Sequence, residues 1–364
     1  MKNQSLRRLP LAAGAVLLLA VAMLFAAASA LSSVPGTYTV HNLSSNVPGA
    51  ATHQDPDLQN GWGITLPPTG PWWVSDNGTG KSTLYTADGT KLGLVVTVTN
   101  GSPTGTVFNG DGGFVVSANG KSGPARFIFA SESGTISGWN PAVDPTNTVV
   151  AVHRPSAIYK GLALATAASG PQLYATDFAG GHVDVFNTSW GAGVATGGFT
   201  DPNLPSGYAP FGIANVGGMI VVTFAKQTPG SVDEQHHQGF GVVDAFDTDG
   251  NLIARVATHG QLNAPWGIAL APSNFGAFSG DLLVGNFGDG QINAYAQQAD
   301  GTWERAGGLR DASRRQIVID GLWGIGFGNN NGTNNGGAGP TTTLFFAAGP
   351  DEESHGLFGS ISAP

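Results

Sequence analysis

One short unit recurs along the chain and constrains its fold more than any other feature. Each copy combines a glycine, a following Ile or Leu and an apolar stretch, usually after an aromatic residue. The copies are Trp62-Gly63-Ile64, Lys160-Gly161-Leu162, Phe211-Gly212-Ile213, Trp266-Gly267-Ile268 and Trp323-Gly324-Ile325. Their glycines are 98, 51, 55 and 57 residues apart. The doubled first gap predicts a degenerate copy inside it, around Val107-Phe108-Asn109-Gly110.

A second element follows each copy. It is a short apolar run that ends in a polar residue, then a glycine turn and an alternating stretch, as in 173–177 followed by 182–186. Alternation with period two between glycine, Asn and Asp residues is typical of strands and hairpins. A repeat near 50 residues with about four short strands is typical of propeller blades. The sequence therefore predicts an all-β protein that folds as a six-bladed β-propeller.

The predicted blades start near residues 60, 105, 159, 209, 264 and 321. The segment Thr37-Tyr38-Thr39-Val40-His41 precedes the first unit and has no unit of its own. We predict that it joins the last blade beside 356–361, which would close the ring and cover an exposed edge. Residues 31–364 are thus expected to form one propeller domain, and we expect a monomer.

The amino-terminal segment carries the signs of an export signal. Lys2, Arg7 and Arg8 precede an uninterrupted apolar run over 11–28, and Ala28-Ser29-Ala30 matches an A-x-A cleavage site. Residues 1–30 are predicted to be a signal peptide, so the mature protein would be periplasmic or extracellular, with no later membrane span. The alternative is an uncleaved anchor, because a helix of that length covers about 27 Å of a bilayer core of about 30 Å.

Composition excludes several classes of function. The 364 residues include no cysteine, which excludes a cysteine nucleophile, thiolate zinc sites and iron–sulfur clusters. The formal net charge of -9 argues against nucleic-acid binding, since phosphate backbones attract basic surfaces.

Several longer strings resemble a family of exported bacterial β-propeller proteins, similar in turn to six-bladed propellers of the NHL-repeat type. The strings lie at 60–64, 129–140, 262–272, 282–290 and 347–359, and they include Asn60-Gly61-Trp62-Gly63-Ile64. The resemblance covers nearly all of the chain after the predicted signal peptide. It implies the fold and export, and it implies no particular reaction.

Polar residues follow the second strand of several predicted blades, and such turns open on one face of a propeller. Two loops at this position also contain histidine, at 233–237 and 351–355. Carboxylates and imidazoles that converge near the axis could hold Ca²⁺ or another divalent cation. The alternative is that the acidic residues cap their own hairpins. The predicted metal ligands are Asp76, Glu132, Asp177, Asn286, His237 and His355.

Two classes of function are compatible with these features. The first is a binding module for a protein, a glycan, a surface polymer or a small-molecule ligand, since the chain shows no catalytic motif and a rigid ring presents loops well. The second is a metal-dependent hydrolase, such as a lactonase or an esterase, with its site on the loop face. Whether the protein is an enzyme stays open at this point, and no cofactor is established. Trp62, Trp266 and Trp323 could stack sugars, although core packing is the other interpretation.

Overall fold

The structure is a computed structural model that describes residues 36–329 and 337–363. The predicted signal peptide falls outside these residues and stays a prediction. Between residues 36 and 100 the strands are β1 (Thr39–Ser45), β2 (His53–Gln54), β3 (Gly61–Thr65), β4 (Trp72–Asp76), β5 (Lys81–Tyr85) and β6 (Lys91–Thr97). Between 101 and 190 they are β7 (Pro103–Phe108), β8 (Val115–Ala118), β9 (Lys121–Pro124), β10 (Phe127–Ser131), β11 (Thr135–Trp139), β12 (Val149–His153), β13 (Tyr159–Ala167), β14 (Gly170–Asp177) and β15 (His182–Asn187).

The later strands complete the pattern. They are β16 (Tyr208–Val216), β17 (Met219–Lys226), β18 (Val242–Phe246), β19 (Leu252–Thr258), β20 (Pro265–Leu270), β21 (Leu282–Asn286), β22 (Ile292–Gln297), β23 (Trp303–Gly308), β24 (Leu322–Phe327), β25 (Thr343–Ala348) and β26 (Leu357–Ser362). Two single-turn 3₁₀ helices, Asn77–Thr79 and Gly276–Phe278, are the helical elements of the described chain. No helix within residues 36–329 and 337–363 has the length and apolar character needed to cross a bilayer.

Six β-sheets surround one axis, and their strands pair antiparallel apart from β1 with β2, which confirms the predicted fold class. In order along the chain, the sheets are β3–β6, then β7 with β10–β12, then β13–β15, β16–β19, β20–β23, and finally β24–β26 with β1 and β2. The strands β8 and β9 form a separate hairpin within the second blade. The first strand of each blade contacts the first strand of the next, and β24 contacts β3, so the ring is closed.

The repeated glycines stand where neighbouring inner strands approach each other most closely. A Cβ added to Gly63 would lie 2.4 Å from the carbonyl oxygen of Thr104, and one added to Gly324 would lie 2.7 Å from that of Trp62. The second-blade copy predicted around Val107-Phe108-Asn109-Gly110 is wrong. The equivalent glycine is Gly105 in β7, whose Cβ would lie 2.4 Å from the amide nitrogen of Leu162. Thr104 and Thr106 replace the usual neighbours, which hides this copy in the sequence.

The amino-terminal segment closes the last blade, as predicted. Strand β1 pairs antiparallel with β26, with Thr39 opposite Ser362 and Val40 opposite Ile361. Just before this strand, the Tyr38 side chain is buried and its hydroxyl donates to the carbonyl oxygen of Phe275 at 3.0 Å. The closing segment therefore covers the edge of the sixth blade and also contacts the fifth.

Candidate functional site

The two histidine-bearing loops lie on the face of the ring where the inner strands begin. One loop connects β17 to β18 and the other connects β25 to β26, so both join a second strand to a third strand. The turns after β4, β10, β14 and β21 occupy the same position in their blades. We call this surface the loop face.

A group of stacked aromatic rings lies at the axis beneath the loop face. The ring of Trp323 is stacked between Trp62, at a centroid distance of 3.6 Å, and Phe287, at 3.8 Å. Trp62 and Trp323 are buried, which agrees with their interpretation as core residues. The indole nitrogen of Trp323 donates to the side-chain oxygen of Asn60 at 3.0 Å. We call the group the aromatic plug, and its members are Trp62, Phe178, Phe211, Trp266, Phe287 and Trp323.

A buried lysine lies against the aromatic plug. The side chain of Lys160 is 3% exposed, and its ammonium group is 2.7 Å from the Glu132 carboxylate. The same nitrogen lies 5.0 Å from the centroid of the Trp62 ring, within the range of a cation–π interaction. Burial alone would lower the pKa of Lys160, but the charges of Glu132 and Glu234 outweigh burial and raise it. The raised pKa favours the charged form of Lys160, which is paired with Glu132 below the loop face.

Glu234 supplies a second carboxylate at the same place. Its side chain is 5% exposed, and one carboxylate oxygen lies 3.3 Å from Nε2 of His236. The hydrogen bond to Glu234 raises the pKa of His236. The other oxygen, Oε2, is buried and has no hydrogen-bond partner within the described residues. A buried carboxylate oxygen without a donor is costly, so this atom is able to accept a hydrogen bond from a ligand.

Glu353 is held at the axis by an unusual backbone. Asp351, Glu352 and Glu353 have φ angles of 57°, 52° and 65°, three successive left-handed residues that are not glycine. Each costs roughly 1–2 kcal/mol relative to a right-handed conformation, and such strain clusters at functional sites. The Asn60 amide donates to the Glu353 carboxylate at 3.1 Å. Burial raises the pKa of Glu353.

These groups form one electrostatic unit at the centre of the loop face. We call it the axial charge cluster, and it consists of Glu132, Lys160, Glu234, His236 and Glu353. Three carboxylates face one ammonium group and one imidazole, so the cluster is net negative when His236 is neutral. The side chains of Glu132 and His236 are 27% and 47% exposed, so solvent reaches the cluster from above. This arrangement can accept hydrogen bonds and positive charge from a bound molecule.

Of the predicted ligands, Glu132 belongs to the axial charge cluster and Asp76 does not. Asp76 ends β4 with its carboxylate buried inside the first blade, and neither oxygen has a hydrogen-bond partner within the described residues. Burial, followed by the nearby charge of Asp55, raises its pKa well above the usual range.

Asp177 meets a different set of side chains. Its Oδ1 accepts hydrogen bonds from the backbone amides of Ile158 at 3.0 Å and Gly180 at 2.9 Å, so it caps its own hairpin. It also lies with His182 and Asp184 in the one group of three His, Asp or Glu side chains with metal-ligand spacing in the chain as described.

The carboxylate of Asp184 already has partners. It pairs with the Arg154 guanidinium, and it accepts a hydrogen bond from the Tyr159 hydroxyl at 2.5 Å. These contacts partly satisfy its charge, which makes it a weaker cation ligand than a free carboxylate.

The remaining three predicted ligands contact loop residues that do not belong to the axial charge cluster. The Asn286 amide donates to the carbonyl oxygen of Gln261 at 2.7 Å, and Nδ1 of His237 lies 2.7 Å from the carbonyl oxygen of Gln238. Nε2 of His355 lies 3.6 Å from Asp351. The metal role of the six residues as a set stays a prediction.

The two loops are evident in the sequence, but the residues that they bring to the axis are not. Glu234 and Glu353 each lie within a histidine-bearing loop, the first two residues from His236 and the second two residues from His355. Lys160 precedes a repeat glycine, at a position where four other blades carry Trp or Phe. A charged residue in place of a core aromatic is the signal that could have identified it.

Comparison with known proteins gives relatives by sequence and neighbours by fold. No protein-family model matches the chain. Among solved structures, virginiamycin B lyase from Staphylococcus aureus has a TM-score of 0.48 at 13% identity, and covers 90% of this chain and 100% of its own. The PQQ-bound aldose sugar dehydrogenase of Streptomyces coelicolor has a TM-score of 0.49 at 15% identity, over 90% and 99%. At these low sequence identities, the likeness to the two solved structures is one of fold alone.

Two relatives are closer in sequence. The "Uncharacterized protein L690" of Acanthamoeba polyphaga mimivirus is 34% identical over 306 residues, which are 79% of this chain and 78% of the viral protein. The "Uncharacterized protein R648" of the same virus is 33% identical over 303 residues, 79% of this chain and 73% of its own. Because identity above 30% extends over more than two thirds of each protein, the chain belongs to the family of these two mimivirus proteins.

Proposed function

We propose that the protein is a binding module that captures its ligand through a protonated amino group at the axial charge cluster. The observation that carries this proposal is Oε2 of Glu234, a buried carboxylate oxygen without a donor within the described residues. An ammonium group supplies both the donor and the positive charge that such an oxygen favours. Glu132 and Glu353 stand beside it and add further acceptors.

The surroundings of the axial charge cluster are rigid, which suits a binding site. The aromatic plug forms a rigid floor, since Trp62, Phe287 and Trp323 stack on each other. Lys160 keeps its own charge paired with Glu132 beneath the ligand position. A fixed arrangement of this kind reduces the ordering cost of binding. Protonated amines occur on basic protein segments and on amino sugars of glycans and surface polymers, the partners expected from the sequence.

Titration calorimetry with defined probes tests this proposal. The probes are a fully deacetylated glucosamine hexamer, its N-acetylated counterpart, and hexalysine. We expect binding of at least one amine-bearing probe, no binding of the acetylated sugar, and weaker binding as salt rises from about 0.15 to about 0.5 M because of charge screening. Binding of the glucosamine hexamer alone would indicate a glycan partner, and binding of hexalysine alone would indicate a protein partner.

A pair of variants locates the site. Glu234→Gln should weaken binding at least tenfold, since it removes the charge but keeps the shape. Glu304→Gln, on the exposed strand β23, should leave the affinity unchanged. Equal affinity of the wild type and the Glu234 variant would contradict the proposal, as would the failure of both amine-bearing probes to bind.

A second candidate function is a metal-dependent hydrolase, and the spacing of Asp177, His182 and Asp184 favours it. When bound there, a divalent cation would supply Lewis-acid polarisation of a carbonyl group. Asp76, another predicted ligand, has two buried oxygens without a hydrogen-bond partner within the described residues, and a cation there would have to displace the proton that burial favours. The competing contacts of Asp184 make this candidate weaker than the first.

Metal analysis of the purified protein separates the two candidates. A stoichiometric metal that is lost in Asp177→Asn and His182→Ala, but kept in Asp76→Asn, would favour a cation site at Asp177, His182 and Asp184. Loss of the metal in Asp76→Asn alone would favour a cation site at Asp76. Absence of metal, with no change of melting temperature on addition of Ca²⁺ or EDTA, would reject the hydrolase.

Export is part of the proposal as well. The charged start, the apolar run and the A-x-A site support a cleaved signal peptide at residues 1–30. Amino-terminal sequencing of the protein recovered from the periplasm or medium should begin at Leu31. Recovery of the intact chain in the membrane fraction would favour the uncleaved anchor.

A further inference from the structure

The axis of the ring contains a cavity on the far side of the aromatic plug from the loop face. Its volume is about 540 Å³, and all six inner strands contribute to its wall. In each inner strand, the residues that line the cavity are the repeat glycine or residues after it, and Trp266 is the exception. The inner-strand residues of the aromatic plug instead come directly before the glycine. The cavity and the axial charge cluster therefore lie at opposite ends of the axis, with the aromatic plug between them.

One position of the repeat supplies an equivalent residue from every blade. The residue that follows the glycine is a branched aliphatic in five blades and a threonine in the second blade. These six residues all line the cavity: Ile64, Thr106, Leu162, Ile213, Ile268 and Ile325. No residue in the lining carries a charge. The wall thus offers apolar surface from every direction around the axis.

The few polar side chains in the wall are largely engaged within the protein. The hydroxyl of Thr106 donates to the carbonyl oxygen of Ile128 at 3.2 Å. The amide of Asn215 donates to the carbonyl oxygen of Leu164 at 3.0 Å, and its oxygen accepts from the amide of Gly218 at 3.0 Å. The third polar side chain in the wall is Thr65, at the end of β3.

We propose that this axial cavity is a binding site for an uncharged, predominantly apolar small molecule. Its volume falls within the range of about 300–1,000 Å³ that is typical of small-molecule sites. Water in an apolar wall makes few hydrogen bonds, so an apolar ligand that displaces it gains affinity. A charged ligand would lose its hydration without meeting an oppositely charged side chain in the wall.

Trp266 gives the site a spectroscopic signal. It lines the cavity, and its indole nitrogen donates to the carbonyl oxygen of Lys160 at 3.1 Å, so its ring is fixed in place. The uncharged dye N-phenyl-1-naphthylamine should bind with one site per chain, with a blue-shifted, enhanced emission and quenching of tryptophan fluorescence. The anionic dye 1-anilinonaphthalene-8-sulfonate should bind at least tenfold more weakly.

Two equivalent leucines provide a matched pair of variants. Leu164 in β13 and Leu270 in β20 both come three residues after a repeat glycine, but Leu164 lines the cavity and Leu270 does not. Leu164→Trp should fill the cavity and weaken dye binding at least tenfold, whereas Leu270→Trp should change the affinity less than twofold. Thr65→Trp, from another part of the wall, is the substitute if the Leu164 variant does not fold.

Some results would overturn the proposal. They are non-saturable binding of the uncharged dye, equal or tighter binding of the anionic dye, or an unchanged affinity in a folded Leu164→Trp or Thr65→Trp variant. The Glu234→Gln variant should retain the dye affinity, since the cavity and the loop face are separate. A failure here therefore leaves the proposal for the axial charge cluster intact, and the reverse also holds.

Discussion

At the scale of single residues, the repeat glycines are required by the approach of the next blade. Gly212 shows this most clearly, since an added Cβ would lie 2.1 Å from the carbonyl oxygen of Trp266. Its backbone conformation is ordinary, so conformational freedom is not the reason for glycine here. A methyl group can fit only if two inner strands separate, which opens the ring locally.

We expect Gly212→Ala to lower the free energy of unfolding by about 1–3 kcal/mol, the usual cost of overpacking a core. The matched control is Gly93→Ala in β6, where an added Cβ meets nothing within 4 Å. This control should be neutral or stabilising by up to about 1 kcal/mol. Urea unfolding of both variants is the measurement. Similar effects at the two positions would contradict the role of close strand approach.

The buried carboxyl of Asp76 should make the stability of the protein depend on pH. Burial raises the pKa of its carboxyl well above the usual range, whereas in the unfolded chain this pKa is about 3.9. Between these two pKa values the folded state binds one more proton at Asp76 than the unfolded state, so the contribution of Asp76 to stability is greatest at low pH and falls as pH rises. The loss is up to about 1.4 kcal/mol per pH unit until the folded pKa is reached.

The Asp76→Asn variant should remove this dependence, because its amide does not ionise. Between pH 5 and pH 7, the wild type should therefore lose stability relative to the variant in urea unfolding. Asp300→Asn is the control, since hydrogen bonds from Thr302 lower the pKa of the exposed Asp300 and it stays ionised over this range. An identical pH slope for the wild type and Asp76→Asn would show that Asp76 is ionised in the fold.

At the scale of elements, the segment before β1 joins two blades. The ring of Tyr38 stacks on Phe278 with centroids 6.0 Å apart, and lies 4.9 Å from that of Phe275. Tyr38 also belongs to a core cluster that includes Ile361 of the sixth blade and Leu283 of the fifth. This one side chain thus fastens the closing strand to both sheets.

Tyr38→Ala should lower the free energy of unfolding by about 3–5 kcal/mol, as for other large buried aromatic residues. Val40→Ala, two residues later and 36% exposed, should cost less than about 1 kcal/mol. Thermal unfolding followed by circular dichroism compares the two. If Val40→Ala proves as harmful as Tyr38→Ala, the closing segment does not depend on the contact with the fifth blade.

At the scale of the whole molecule, ring closure should make six blades unfold as one unit. Open repeat arrays depend on neighbour contacts and can unfold in parts. Here the contacts between inner strands continue from β24 back to β3, so no blade is terminal. We expect a single calorimetric transition whose calorimetric and van't Hoff enthalpies agree. Two resolved transitions would show that part of the ring opens independently.

Local pattern alone was enough to predict the ring. The spacing of the repeat glycines gave the number of blades, because each blade needs the same close contact. The surplus strand-like segment before residue 45 predicted the closure by β1, since an unpaired edge is unfavourable. The second-blade copy was placed wrongly because the residues next to Gly105 in the sequence differ from those of the other copies, although its packing requirement is the same.

Which polar groups meet at the axis was decided only by the tertiary structure. Glu132, Lys160, Glu234 and Glu353 come from four different blades, and no local pattern specifies that their side chains share one point. The left-handed backbone at 351–353 directs Glu353 to the axis, and the sequence does not indicate it there because glutamate rarely adopts this conformation. Strands follow from short-range alternation and spacing, whereas a site between loops depends on the curvature of the closed ring and the paths of those loops.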